Sequence, residues 1–449
     1  MTSFLRFRHL PARLLLGAAL LGLAPSCSLD IPNPNAATEQ STLSSRDGVL
    51  AFSVGLRQTY ATQVIEPLLL ATGTTSREVK GITTFINVTE LEQGGTQLSP
   101  NNANLTALFG RPYRIVSAAD QLLGAAPATL ATDAATLSGV LAHAYLFKAA
   151  ALLAVAQGFE QAPVSAAENA AFVPRTQVLA EAVRLLDLAA QTLTANAPSA
   201  EFNTRVLGPE FDLPNTVQAY RARANLMAGN YAAALAAANL VDLTKTSVFV
   251  YTGAAPNPIF TQSVLAGNFK PRDQFGLPAD LVEAQDARLS FYLQGPAVTR
   301  SDNGSTSTLR ELAGFFTSQV SPIPAYLPDE MRLIRAEANL RAVTPDLAAA
   351  LLDINAVRTQ TAGDPLGVNA ALPPYAGPET VAALLQEVYK QRSAELFLSG
   401  LHLDDSRRFG RPAPAPNQPI SQTERSRNFY PYPQQERINN PNVPADPAI

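Results

Sequence analysis

The sequence predicts an all-α protein, a scaffold of helix pairs interrupted by two long irregular regions. Three observations lead there. Along most of the chain, apolar residues recur at i, i+3, i+4 and i+7, the spacing of one buried helix face. Tight connections such as Gly229-Asn230 and Thr344-Pro345 join these runs, with residues suited to ending one helix and beginning the next. Residues 72–104 and 248–327 instead are rich in Gly, Pro, Asn and Thr and lack helical period. With 449 residues, 47% of them hydrophobic, the chain can bury a large core. No point shows a second core beginning, so residues 27–449 are expected to form one domain.

The chain opens as an export signal over residues 1–26: basic Arg6, Arg8 and Arg13, the apolar run Leu14 to Leu23, then small residues. Cys27 follows and is the only cysteine, which excludes an internal disulfide. After Ala24-Pro25-Ser26 it fits a lipoprotein cleavage site, although the leucine usual three residues before the cysteine sits one earlier, at Leu23. The alternative is an incidental free thiol. Acyl chains such as palmitate on Cys27 would anchor a soluble body, each buried CH₂ contributing roughly 0.8 kcal/mol. Residues 27–43 would be the tether. Removing Arg6, Arg8 and Arg13 from 33 basic residues leaves 30 against 37 acidic ones, a mature net charge of −7. Such a chain has no electrostatic footprint for nucleic acid.

The helical elements lie within 44–247 and 328–410. The first run is 44–63, followed by 113–123 and 131–157. Residues 137–156 are apolar enough to raise the question of a membrane span. Gly139, His143 and Lys148 interrupt them and favour a core helix. Residues 175–196 are amphipathic, with Val178, Leu179, Val183, Leu186 and Leu193 on the buried stripe. Residues 216–228 and 231–243 form a helix pair whose Gly229-x-Tyr231-x-x-Ala234 is similar to the centre of a tetratricopeptide unit. A further pair spans 329–342 and 346–360.

The last helix starts near Pro378 and Glu379, with Val381, Leu384, Leu385 and Val388 on one face and Gly400 as the left-handed residue beyond its end. A charged hook follows, Asp404, Asp405, Arg407 and Arg408, close enough to pair internally or with Arg392 and Glu395. This stretch resembles the carboxy-terminal signature of the SusD/RagB family, surface lipoproteins of Bacteroidetes-type bacteria. Arg392, Glu395, Leu396, Gly400, Asp405 and Arg408 match it. So do the closing run from Asn428 to Asn442 and the repeat segment holding Glu337, Asn355 and Arg358. Gln391, Ser399 and His402 depart from the family's Glu, Glu and Arg. Positions 399 and 402 are three apart, as expected of a surface ion pair lost on both sides together.

Catalytic machinery finds little support. The chain has three histidines, one of them His9 in the signal; it has no metal-binding His pair on a helix and no Cys-x-x-Cys. Gly-x-Ser-x-Gly, the Walker loop and Gly-x-Gly-x-x-Gly are missing too, so hydrolase, nucleotide and dinucleotide readings lack their motifs. Arg407 and Arg408 should keep both Asp404 and Asp405 ionised, a structural role. His143 reads as a hydrogen-bonded core residue and His402 as structural. Phe429, Tyr430 and Tyr432 read as packed back on the helices.

The resemblance implies an SusD-like helical fold and a non-catalytic protein without a cofactor, lipid-anchored at the cell surface on the outer membrane. It further implies a SusC-like TonB-dependent transporter as partner and a nutrient ligand, most often a glycan held on a shallow loop surface by rings and polar side chains. Trp is absent, so Tyr and Phe would do the stacking. The candidates in the loop regions are Tyr292 first, for its ring and hydroxyl together, then Phe275, Phe316 and Phe85, with Phe315 beside them. Arg77, Asn101, Asn102, Arg300 and Asp302 are the polar candidates. Two other classes stay open: a tetratricopeptide-like adaptor binding a peptide or protein, which the interruption at 248–327 disfavours, and a surface hydrolase needing two convergent acids.

Overall fold

The amino-terminal helical run continues well beyond its expected end. α1 (Arg46–Thr59) starts on Ser45, whose hydroxyl accepts from the Gly48 amide at 3.1 Å. A π turn at Tyr60–Val64 then carries the chain into α2 (Ile65–Thr75). The computed structural model describes residues 39–415 and 423–449. The signal and Cys27 lie outside them.

β1 (Val79–Gly81) and α3 (Ile86–Gln93) come next, inside the first region expected to be irregular. α4 (Ala103–Thr129) is capped by Asn102 and holds Pro112 and Pro127 within its length. The expected run, 113–123, starts just beyond Pro112. The helix instead carries the proline, because Leu105, Leu108 and Phe109 on the preceding turns are buried and their packing outweighs one lost hydrogen bond. α5 (Ala134–Gly158) is capped by Asp133. It is long and apolar enough to cross a membrane, but α4 and α6 cover it and most of its length is buried, as in a core helix. β2 (Gln161–Ala162) and β3 (Val173–Pro174) pair and lead into α6 (Arg175–Ala195).

α7 (Leu213–Met227) and α8 (Tyr231–Asn239) form the expected tight pair, with Gly229 between them at φ 78°. The second irregular region contains β4 (Val248–Phe249), β5 (Phe269–Pro271), α9 (Arg288–Tyr292), β6 (Leu293–Asp302), β7 (Ser305–Leu312) and β8 (Ile323–Pro324). α10 (Pro328–Leu340) and α11 (Leu347–Arg358) follow. Asp346, rather than Thr344, caps α11, through Ala349 N at 2.9 Å. α12 (Val381–Glu395), capped by Thr380, α13 (His402–Arg408) and α14 (Gln434–Asn439) complete the order.

From α4 to α8 each helix packs on the next; α10 then packs on α8, and α11 and α12 on α10. The all-α class holds, since the described strands are short and pair only two by two. One core cluster runs through most of residues 43–449, and Ala336, Leu340, Ala350, Ile354, Leu384 and Val388 form a smaller one between α10, α11 and α12.

The charged hook locks the carboxy-terminal helices together. Arg392 grips Asp405 with two hydrogen bonds of 2.8 and 3.0 Å, and Arg408 reaches Asp404, Asp405 and Glu337 at 2.8 to 2.9 Å. Burial raises both aspartates, but Arg175 and Arg408 around Asp404, and Arg392 and Arg408 around Asp405, outweigh it, so both sit below the usual carboxylate range. Glu395 turns away to Arg288 at 3.1 Å.

His402 is buried, not at the surface where the expectation for positions 399 and 402 put it. Its ring is buried, its Nε2 lies 2.9 Å from the Tyr389 hydroxyl, and burial pulls its pKa down to about 4. His143 is a core residue as expected, but neither ring nitrogen has a hydrogen-bond partner among the described residues, and burial among Phe147 and Phe202 lowers its pKa. Tyr430 and Tyr432 are buried as anticipated, and Phe429 is half-buried under Arg407. The Tyr430 hydroxyl lies 2.9 Å from Ala71 O and 2.8 Å from Thr75 Oγ1. Its ring fills the space a side chain at Gly158 would take, since a Cβ there would lie 2.6 Å from Tyr430 Cδ2.

Candidate ligand-binding face

The two regions read as separate irregular stretches join into one structure. β1 pairs antiparallel with β5, setting Val79 opposite Pro271 and Gly81 opposite Phe269. β6 and β7 form a hairpin closed by Asn303-Gly304, both with positive φ, 47° and 80°, the backbone a tight hairpin turn requires. The hairpin tip docks on the segment after β1: Asn303 Nδ2 donates to Gly81 O and Thr83 O, both at 3.0 Å, and Arg300 donates to Ile82 O at 3.0 Å.

Buried charge holds this assembly from within. Glu92, on α3, has no exposed surface; it accepts from Arg272 at 2.6 Å, Ser305 Oγ at 2.8 Å and Gly81 N at 3.2 Å. Lys80, equally buried, donates to Ser305 Oγ at 2.6 Å and Asp302 O at 2.9 Å, and lies 3.6 Å from Glu92. Arg77 donates to Glu92 O at 3.1 Å; burial pulls its guanidinium down to about 10, with Glu92 opposing. Each cation comes from β1, β5 or their flanks, and each partner from α3 or the hairpin, so the charges bind four segments at once.

The outer side of the assembly presents apolar groups on the segments that meet there. Phe85 is 61% exposed and Ile86 74% exposed at the start of α3; Leu265 is 74% exposed in the turn before β5, and Val298 stands out from β6. Among the described residues no other aromatic is as exposed as Phe85. Its backbone is fixed, with Phe85 O accepting from Val88 N at 3.0 Å and Thr89 N at 2.9 Å. Around it stand Thr83, Thr84 and Asn87, all at least partly open to solvent.

The other candidates are placed elsewhere. Tyr292 is fully buried, its ring packed against Phe291, Phe397 and Phe275 with centroids 4.8, 5.5 and 6.3 Å away, and its hydroxyl spent on Glu395 O at 2.9 Å. It cannot stack on a surface ligand. Phe275 and Phe316 are buried as well, and Phe315 half-buried, all in this aromatic cluster that α12 and the segment after it complete. Asn102 is buried as the cap of α4, with its amide donating to Asn87 O and Glu90 Oε2, each at 2.9 Å. Arg77 is buried in the charge cluster. Of the ten candidates, Phe85, Asn101 and Arg300 face solvent, and Phe315 and Asp302 are half-buried. Sequence reading missed the hairpin, although Asn303-Gly304 between alternating Thr and Ser was its signal. Among the described residues, no cluster of three His, Cys, Asp or Glu is arranged to hold a metal.

No family model matches the sequence, and no curated protein matches it. Solved structures do match. NanU from B. fragilis aligns over 92% of this chain and 99% of its own with a TM-score of 0.66 at 12% identity. A SusD-like carbohydrate binding protein from Bacteroides vulgatus aligns over 89% and 97%, with a TM-score of 0.65 at 16% identity. A SusD/RagB family protein from Bacteroides thetaiotaomicron aligns over 88% and 94%, with a TM-score of 0.64 at 14% identity.

Proposed function

The chain has the SusD fold over about nine-tenths of its length, and from that premise we propose that it is a non-catalytic surface lipoprotein that binds an oligosaccharide. It would be tethered to the outer membrane through Cys27 and pass its ligand to a TonB-dependent transporter. The ligand site is the face built by β1, β5, α3 and the β6–β7 hairpin. One observation carries this reading: in a chain without Trp, the most exposed aromatic among the described residues, Phe85, stands there. A sugar's apolar face stacks on such a ring while Thr84, Asn87 and Arg300 are in place for its hydroxyls. A solved neighbour is described as carbohydrate binding, which supports the ligand class. The buried ion pairs beneath the face keep it in shape without a ligand, so little ordering is needed on binding.

Calorimetric titration with a panel of oligosaccharides tests this. Phe85→Ala should weaken the binding oligosaccharide about five-fold, the worth of a stacked ring near 1 kcal/mol, and leave the melting temperature unchanged because the ring is exposed. Unchanged affinity in that variant would move the site off this face. Saturable binding of peptides and of no sugar would favour the adaptor reading.

A further inference from the structure

A cavity of about 70 Å³ lies among α2, α5, α7 and the segment Leu396–Leu401. Its walls are mostly apolar, including Ile65, Leu69, Leu153, Met227 and Phe397. Two polar groups on its lining are unsatisfied. Gln157, on α5, is 2% exposed; its Nε2 reaches only Met227 Sδ, at 3.7 Å, and its Oε1 has no hydrogen-bond partner among the described residues. Ser399 Oγ is likewise buried and without a partner. A native interior rarely leaves such groups unpaired, because each has given up its hydrogen bonds to water.

We propose that this cavity is a second ligand site, separate from the loop face, for a small neutral molecule of one ring bearing a hydroxyl. The hydroxyl donates to Gln157 Oε1 and accepts from Ser399 Oγ, and the ring lies against the apolar walls. Charge on the ligand is disfavoured, because the cavity's cation, Arg223, is already held by both oxygens of Glu330 at 2.7 and 2.6 Å. An oligosaccharide is excluded for the opposite reason. It carries a hydroxyl on nearly every carbon, and this lining would strand most of them.

Phenol and toluene are the probes, as a matched pair differing by the hydroxyl. On the mature chain, phenol should raise the melting temperature saturably and bind about five-fold more tightly than toluene, the difference one buried hydrogen bond makes. Gln157→Leu should abolish that preference while toluene still binds. Ala154→Leu, which fills the cavity from α5, should remove binding of both. The proposal is overturned if neither probe binds, if phenol shows no preference over toluene in the parent, or if a crystal soaked in phenol shows only water on Gln157. The comparison of the two probes on the parent chain needs no variant, so misfolding of a variant does not leave the question open.

Discussion

Glu92→Gln probes whether buried charge builds the ligand face. Glu92 is the carboxylate around which Arg272, Lys80 and Arg77 gather, at 2.6, 3.6 and 3.7 Å, and it is fully buried. Glutamine keeps its shape and can still accept from Gly81 N, but removes the charge. Lys80 would retain Asp302 at 3.1 Å, whereas Arg272 would lose its one ion-pair partner among the described residues. Breaking a buried pair costs about 3–5 kcal/mol, and the retained Lys80–Asp302 pair places this case near 3. That is a large share of the ~5–15 kcal/mol by which a domain is stable. Urea denaturation should show the loss, and hydrogen exchange should show it concentrated in the amides of β1 and β5. Pairing the change with Arg272→Met should be less damaging than the sum of the two alone, because the guanidinium that Glu92→Gln strands is then absent. A Glu92→Gln protein within about 0.5 kcal/mol of the parent, with exchange in β1 unaltered, would refute the argument.

Glu78 gives a pH dependence. Burial pushes its carboxyl from 4.5 up to about 8, with the Leu398 amide at 2.6 Å opposing the shift. The folded state therefore keeps a proton that the unfolded chain loses above 4.5, so stability is fully present below 4.5 and lost as pH rises through about 8. Glu78→Gln should flatten that fall, as melts across the interval would show; an unchanged slope would mean another group controls it. Tyr292→Ala should lower stability by about 3–5 kcal/mol, as for other large core aromatics, and leave no folded protein with selectively weakened sugar binding; a melting temperature near the parent's would contradict its burial. Cys27→Ala should release the protein from membranes in fractionation, and a variant still pelleting after a salt wash would refute lipid anchoring there.

The sequence by itself determined the helix pairs and the hook, because their signals are local. Asp346 and Thr380 beside apolar period, Gly229 with its left-handed φ, and Arg392, Asp405 and Arg408 on consecutive helices specify their geometry from neighbours in the chain. The Asn303-Gly304 turn was equally local and equally readable. Only the tertiary structure decided which ring reaches a ligand. Phe85 and Tyr292 sit in similar loop-rich sequence, but Phe397, brought by the chain beyond α12, closes over Tyr292, while among the described residues no segment closes over Phe85. The same holds for the charges under the face: Lys80 and Glu92 meet Arg272 and Ser305 only because β1 pairs with β5 from a distant part of the chain. Periodicity and capping act between residues a turn apart, whereas burial belongs to pairs of segments, and which segments meet is settled by the packing of the whole core.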